Sequence, residues 1–131
     1  MKNKNKQILL GIGKGSCHTE KQLNKVLSNN KKLKLYRAVC EAEYEDIRKK
    51  GMKFCYYPYG MEIKWFATNY EHAIMWGESL YPNGIYRILE MTILNTSLQF
   101  MFYVKYLDNI GPAYAADVDL LNKIMKKVKL V

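Results

Sequence analysis

Few residues in this chain could do chemistry, and their spacing limits what that chemistry could be. The histidines are His18 and His72 and the cysteines are Cys17, Cys40 and Cys55, with no Cys-x-x-Cys pair and no Cys/His ligand spacing. An odd cysteine count without ligand spacing argues against both a disulfide framework and a structural zinc, so no metal is expected and the thiols read as reduced. No Gly-x-Ser-x-Gly elbow occurs, and Cys40 and Cys55 read as inert core thiols. An acid/base pair of the ribonuclease kind needs two histidines, or one histidine with a lysine and a glutamate, converging in a basic cleft. His72 with Glu71, Lys64 and Arg87 has the residue types; alternatively, His72 is a polar helix-face residue four before Trp76. "GIGKGS", Gly11–Ser16, lacks the spacing of a phosphate loop and reads as a linker.

"KWFATNYEHAIMWG", Lys64–Gly77, is the most suggestive stretch. A strand ends in Ala67-Thr68, Asn69 is placed to cap a helix, and the new helix runs to about 77. Its N-terminal amides and dipole would point at whatever lies above the turn, which suits an anionic or amide-bearing ligand. The plainer alternative is an ordinary core-packed strand–helix unit.

The elements around this junction follow from periodicity and caps. Thr19 with Gln22 makes a capping box for a helix over about 20–28. "LKLYRAV" reads as a strand, and "EAEYEDIRKKG" as a helix with acids in its first turn, bases in its last and Gly51 beyond its end. Tyr44 and Ile47 would form its buried stripe. "MKFCYYPYGME" is an aromatic loop, "IKWFAT" a strand and "SLYPNG" a turn. "IYRILEMTIL" and "LQFMFYVKYL" are the longest β-like runs. "DNIGPAYAAD" is expected as a loop or short edge strand because Pro112 interrupts a ladder. "DLLNKIMKKVKL" is expected to close the chain as a helix. The result is an α+β domain, with short helices among antiparallel or mixed strands.

Bulk properties narrow the setting. The 131 residues, 49% of them hydrophobic, suffice for one compact core. No apolar run approaches the roughly 18–20 residues of a membrane span, and Ile8–Ile12 is short for a signal-peptide core. A basic leader over residues 1–18, a single domain over 19–131 and a cytoplasmic setting are the expectation. The formal charge is +9, with lysines clustered at Lys2, Lys4, Lys6, at Lys31, Lys32, Lys34 and at Lys123, Lys126, Lys127, Lys129. Such a field favours nucleic acid, anionic membrane surfaces or phosphorylated small molecules. A solvated lysine-rich surface is the bland alternative.

The blocks "LYRAV", "EAEYEDI", "KWFATNYEHAIMWG", "YRILEMTI" and "DNIGPAYAADVDLL", spanning about residues 33–121, resemble C-terminal toxin tails of bacterial polymorphic toxins, including those with rearrangement-hotspot repeats. Their order also resembles the ADP-ribosyltransferase fold, which implies a split sheet and NAD as substrate. By that resemblance Arg37 would contact the phosphates or the nicotinamide ribose. Phe66, Ala67 and Thr68 would line the nicotinamide pocket, with Thr68 on the ribose or supporting the acid. Tyr70 and Trp76 would supply its wall, His72 its mouth, and Tyr36 and Asn69 would complete the NAD-binding set. The family usually carries a Glu on a late strand, and "IGPAYAADVDLL" has none. Asp117, Asp119, Glu90 and Glu62 are the carboxylates open to that role, with Asp117 and Glu90 joining Arg37 and Thr68 as the expected catalytic set. The resemblance further implies transfer of ADP-ribose to a nucleic acid or protein, delivery into a target cell's cytoplasm, and room for a cognate immunity protein. From a different class, the lysine-rich ends and 11 tyrosines fit a nucleic-acid-binding or ribonuclease-type module without NAD chemistry.

Overall fold

Strand and helix follow one another with almost no linker at the start of the described chain. In a computed structural model, which describes residues 31–56 and 63–131, strand β1 (Lys32–Val39) passes through Cys40 directly into helix α1 (Glu41–Lys49). The alternation of "KLKLYRAV" puts Leu33, Leu35, Arg37 and Val39 on one face and Lys34, Tyr36 and Ala38 on the other. Helix α1 folds back over the first face, with Ile47 fully buried and Tyr44 packed beside it. Gly51, at φ 72°, follows the helix end in the left-handed conformation expected of it.

Strand β2 (Ile63–Ala67) and helix α2 (Tyr70–Leu80) come next. Helix α2 runs three residues beyond the expected end and covers the second face through Ala73 and Trp76. Then come β3 (Arg87–Leu94), a 3₁₀ turn (Asn95–Phe100), β4 (Phe102–Leu107), β5 (Gly111–Asp117), α3 (Val118–Ile124) and β6 (Lys127–Leu130). The six strands form one antiparallel sheet in the order β4-β5-β2-β1-β3-β6. The protein is therefore α+β, with short helices on both faces of the sheet.

Two expectations are corrected. "DNIGPAYAAD" is neither a loop nor an edge: β5 is an interior strand between β4 and β2. Asp108 and Asn109 both take positive φ, 54° and 60°, and Ile110 N–H donates to the Leu107 carbonyl at 2.9 Å. Those are the marks of a type I′ turn, with Ile110 as an additional residue before Gly111, which is registered with Leu107. Pro112 is tolerated because the β2 ladder ends at Ala67↔Ala113 and the β4 register slips between Val104 and Leu107. The missing N–H thus falls where pairing is already broken. The C-terminal segment is not one helix either. It stops at Ile124, and "KVKL" alternates as an edge strand with Val128 buried against the α1-face core.

Sheet pairing is uneven at one place. Strands β1 and β3 pair along their whole length, Lys32↔Leu94 through Val39↔Arg87. Strands β1 and β2 meet only at Tyr36↔Ala67. The sheet is in effect two halves, β4-β5-β2 and β1-β3-β6, joined at a seam.

Candidate functional site

Arg37 points into the α1 face between Leu35 and Val39, where an uncompensated guanidinium would be strongly unfavourable. Its Nε and Nη2 donate to the two carboxylate oxygens of Glu43 at 3.0 and 3.3 Å. Its Nη1 donates to the backbone carbonyl of Trp65 at 3.1 Å. Arg37 therefore reaches from β1 across the seam to β2 and makes a bond the short ladder leaves unmade. A planar fork can serve a carboxylate and a carbonyl together in a way an ammonium cannot. Glu43 is positioned by the cap of α1, whose Cys40 sulfur accepts from the Glu43 N–H at 3.4 Å.

Lys64 completes this cluster from β2, on the same face as Phe66. Its ammonium lies 3.6 Å from Glu43 Oε2, is fully buried, and has no hydrogen-bond partner among the described residues. Burial pushes its pKa down, opposed by Glu43 and assisted by Arg37. Two cations thus share one carboxylate. Nearby, burial pushes up the Cys55 thiol and the Tyr81 phenol, Glu43 adding to each. Cys55 is buried and carries the raised pKa of an inert thiol.

The strand–helix turn stands at the other end of β2. Asn69 caps α2, its Oδ1 accepting from the His72 N–H at 2.8 Å. The His72 ring packs so closely on Gly111 that a Cβ there would collide with it. Trp76 Nε1 donates to Asp108 Oδ2 at 3.0 Å. Histidine and tryptophan are thereby occupied in fixing the β4–β5 hairpin onto α2. Phe66 lies fully buried on the α1 face, edge-on to Phe54 at 5.5 Å between centroids, whereas Ala67 is buried on the α2 face. Thr68 is half-buried in the turn.

Tyr36 and Glu90 sit on the α2 side of the sheet. The Tyr36 hydroxyl donates to Glu90 Oε2 at 3.1 Å, and Tyr70 meets the Tyr36 ring edge-on at 6.2 Å. Burial, then Glu90, pushes the Tyr36 phenol up. Lys34 and Lys129 each approach Glu90 Oε1 at 3.7 Å. The sheet itself therefore stands between Glu90 and Arg37. Asp117 is exposed, opposite Ile63 at the start of β2, where its Oδ1 accepts from the Leu120 N–H and caps α3; Asp119 is exposed in the first turn of that helix. Arg37 and Thr68 thus share the β1–β2 seam region, while Asp117 and Glu90 lie elsewhere. The acid beside Arg37 is Glu43. Its signal in the sequence was its place in the first turn of a helix that follows β1 without a linker.

The ribonuclease-like set is dispersed as well. Lys64 is buried on the α1 face, His72 packs on Gly111, and Arg87 is paired with Glu41. An open groove of about 370 Å3 lies on the α2 side, lined by Tyr70, Ile74, Tyr86 and Leu130 among others, and does not include Arg37. Glu62, His18, the Gly11–Ser16 stretch and the Thr19 capping box lie outside the described residues. Among the described residues no group of three or more His, Cys, Asp or Glu could hold a metal ion, and no helix is long and apolar enough to cross a membrane. No protein-family model, curated protein or solved structure matches the chain.

Proposed function

We propose that the chain is an ADP-ribosyltransferase-like toxin domain that takes NAD at the β1–β2 seam and passes ADP-ribose to a macromolecular target. The observation that carries this reading is Arg37 lying across a seam closed by a single strand pair, with a carboxylate and a second cation in contact. Arg37 keeps 13% of its side chain exposed while Lys64 is fully buried, so Arg37 is the cation of this cluster that would meet the pyrophosphate of NAD. The Thr68–Asn69 turn and Phe66 stand on the β2 side of the same seam.

In the reaction the bond between the ribose carbon and the nicotinamide nitrogen breaks, and nicotinamide leaves with the bonding pair. The ribose carbon becomes oxocarbenium-like, and fixed negative charge stabilises it. A nucleophile on the target then supplies the new electron pair and releases its proton to solvent. Glu43, with both carboxylate oxygens on Arg37 and Lys64 in the core, serves here to position Arg37.

The test is binding followed by chemistry. A ligand that binds only the folded chain adds about 2.7 kcal/mol at one hundred times its Kd. Millimolar NAD is therefore expected to raise the melting midpoint by several degrees. Incubation with labelled NAD and cell lysate is expected to release nicotinamide and label a macromolecule. An unchanged midpoint together with no release would overturn the assignment.

A further inference from the structure

We propose that the part of the sheet beyond α2 on its second face, carried by β1, β3 and β6, is a docking surface for single-stranded nucleic acid. The inference is independent of the NAD reading, because it concerns the opposite side of the sheet from Arg37.

Registers place four lysines there. Lys34 is opposite Thr92, which is opposite Lys127, and in the next row Tyr36, Glu90 and Lys129 are aligned. Lys32 falls on the same face by alternation. Successive lysines on one strand stand about 7 Å apart, and those on β1 and β6 about 10 Å apart across β3. All four are exposed, Lys34 and Lys129 by 54% and 48% of their side chains. Among these positions Glu90 is the only acid, and both Lys34 and Lys129 turn toward its Oε1 at 3.7 Å. Glu90 thus holds two ammonium groups in place while the four lysines keep a clear positive excess. Helix α2 adds Tyr70, 41% exposed and edge-on to Tyr36, as a ring at the border of the lysine field.

Charge complementarity requires a polyanion, and the aromatic border selects among polyanions. A phosphodiester strand gives lysines their contacts and offers bases that stack on an exposed ring. An anionic bilayer would want apolar side chains free to insert, whereas among these registered positions the one aliphatic residue is Leu94, opposite Lys32 and half-buried.

The experiment measures fluorescence anisotropy of a labelled oligo-uridine with the full chain across a salt series. Four phosphate contacts on a single strand predict a slope of log K against log salt of roughly −3, about 0.7 per contact. Replacing Lys32, Lys34, Lys127 and Lys129 by Gln is expected to weaken binding at low salt at least about tenfold and to flatten the slope. Replacing Lys49 and Lys50 at the end of α1 should leave both unchanged. In the unmodified chain, bound oligonucleotide should protect Lys34 and Lys129 from amine acylation while Lys49 is modified as before, a readout that does not depend on any variant folding. Wild-type affinity in the fourfold variant, or unprotected Lys34 and Lys129, would overturn the proposal. So would binding of these lysines to phosphatidylserine vesicles with none to the oligonucleotide.

Discussion

The two faces of the sheet each hold a nearly buried glutamate between two cations, and the two clusters are built differently. Glu43 has 7% of its side chain exposed and its cations have 13% (Arg37) and 1% (Lys64). Glu90 is 9% exposed, but its lysines are 54% and 48% exposed. The first cluster is a forked ion pair enclosed in the core, with a second cation held against it. The second is a carboxylate anchored by a phenol, whose cations remain in water. Burial of an acid is therefore common to both, and burial of its partners is what distinguishes them. Removing the shared carboxylate from an enclosed cluster leaves its cations unpaired in a low dielectric, whereas solvated lysines are screened on either side of the change.

Glu43→Gln should separate the two most strongly. It keeps side-chain size and one acceptor, but leaves Arg37 and Lys64 facing each other without a counter-charge. Breaking a buried pair on one side typically loses about 3–5 kcal/mol, so a loss of that order is expected in denaturant unfolding, with the slope of the transition unchanged. A loss below roughly 1 kcal/mol, the range of exposed pairs, would mean that water enters the seam and that the two clusters are alike.

Much of the frame of this comparison was legible in the sequence. Alternation in "LKLYRAV" already sends Tyr36 and Arg37 to opposite faces, and Asn69 caps the helix as its residue type and place predict. The identity of Arg37's partner was not legible in the same way. Glu43 has a sufficient local explanation as an acid in a helix's first turn, and only the fold-back of α1 onto β1 turns it into a buried counter-ion. Lys64 is harder still, since a lysine in a strand is ordinarily exposed. It is buried here because the α1 face of β2 is covered throughout. The β4–β5 hairpin is hidden for another reason: Pro112 argues against an interior strand, and only the register shows that the N–H it lacks is one no ladder bond needs. The Asp108-Asn109 pair, both suited to positive φ, was the available signal.

Lys64→Met sharpens the comparison from the side of the cation. The substitution removes a buried ammonium that has no hydrogen-bond partner among the described residues, and leaves the Arg37–Glu43 fork intact. An unmet buried donor typically costs about 1–3 kcal/mol, so the variant is expected to match or exceed wild-type stability at neutral pH. The pH dependence has a definite sign. The folded pKa of Lys64 lies below the ordinary 10.5, chiefly through burial. Between those two values the unfolded chain binds more protons, so wild-type stability rises with pH relative to the variant. The gap should be widest below the folded pKa and close as pH approaches 10.5. A gap that widens on the way up would mean that the fold stabilises the ammonium instead of opposing it.

Glu90→Gln is the mildest test and the one most specific to the exposed cluster. The amide retains an acceptor for the Tyr36 hydroxyl, so the anchoring bond survives. What disappears is the attraction to Lys34 and Lys129, whose ammonium groups already sit in water 3.7 Å away. Exposed pairs contribute about 0–1 kcal/mol, and an effect within that range, shrinking as salt is added, is expected from unfolding midpoints measured at low and high ionic strength. The Tyr36 phenol should also titrate closer to its ordinary value, because Glu90 is one of the causes that raise it, while burial keeps part of the displacement. A destabilisation as large as that of Glu43→Gln, and insensitive to salt, would show that an acid's own burial sets the strength of such a cluster regardless of where its cations lie.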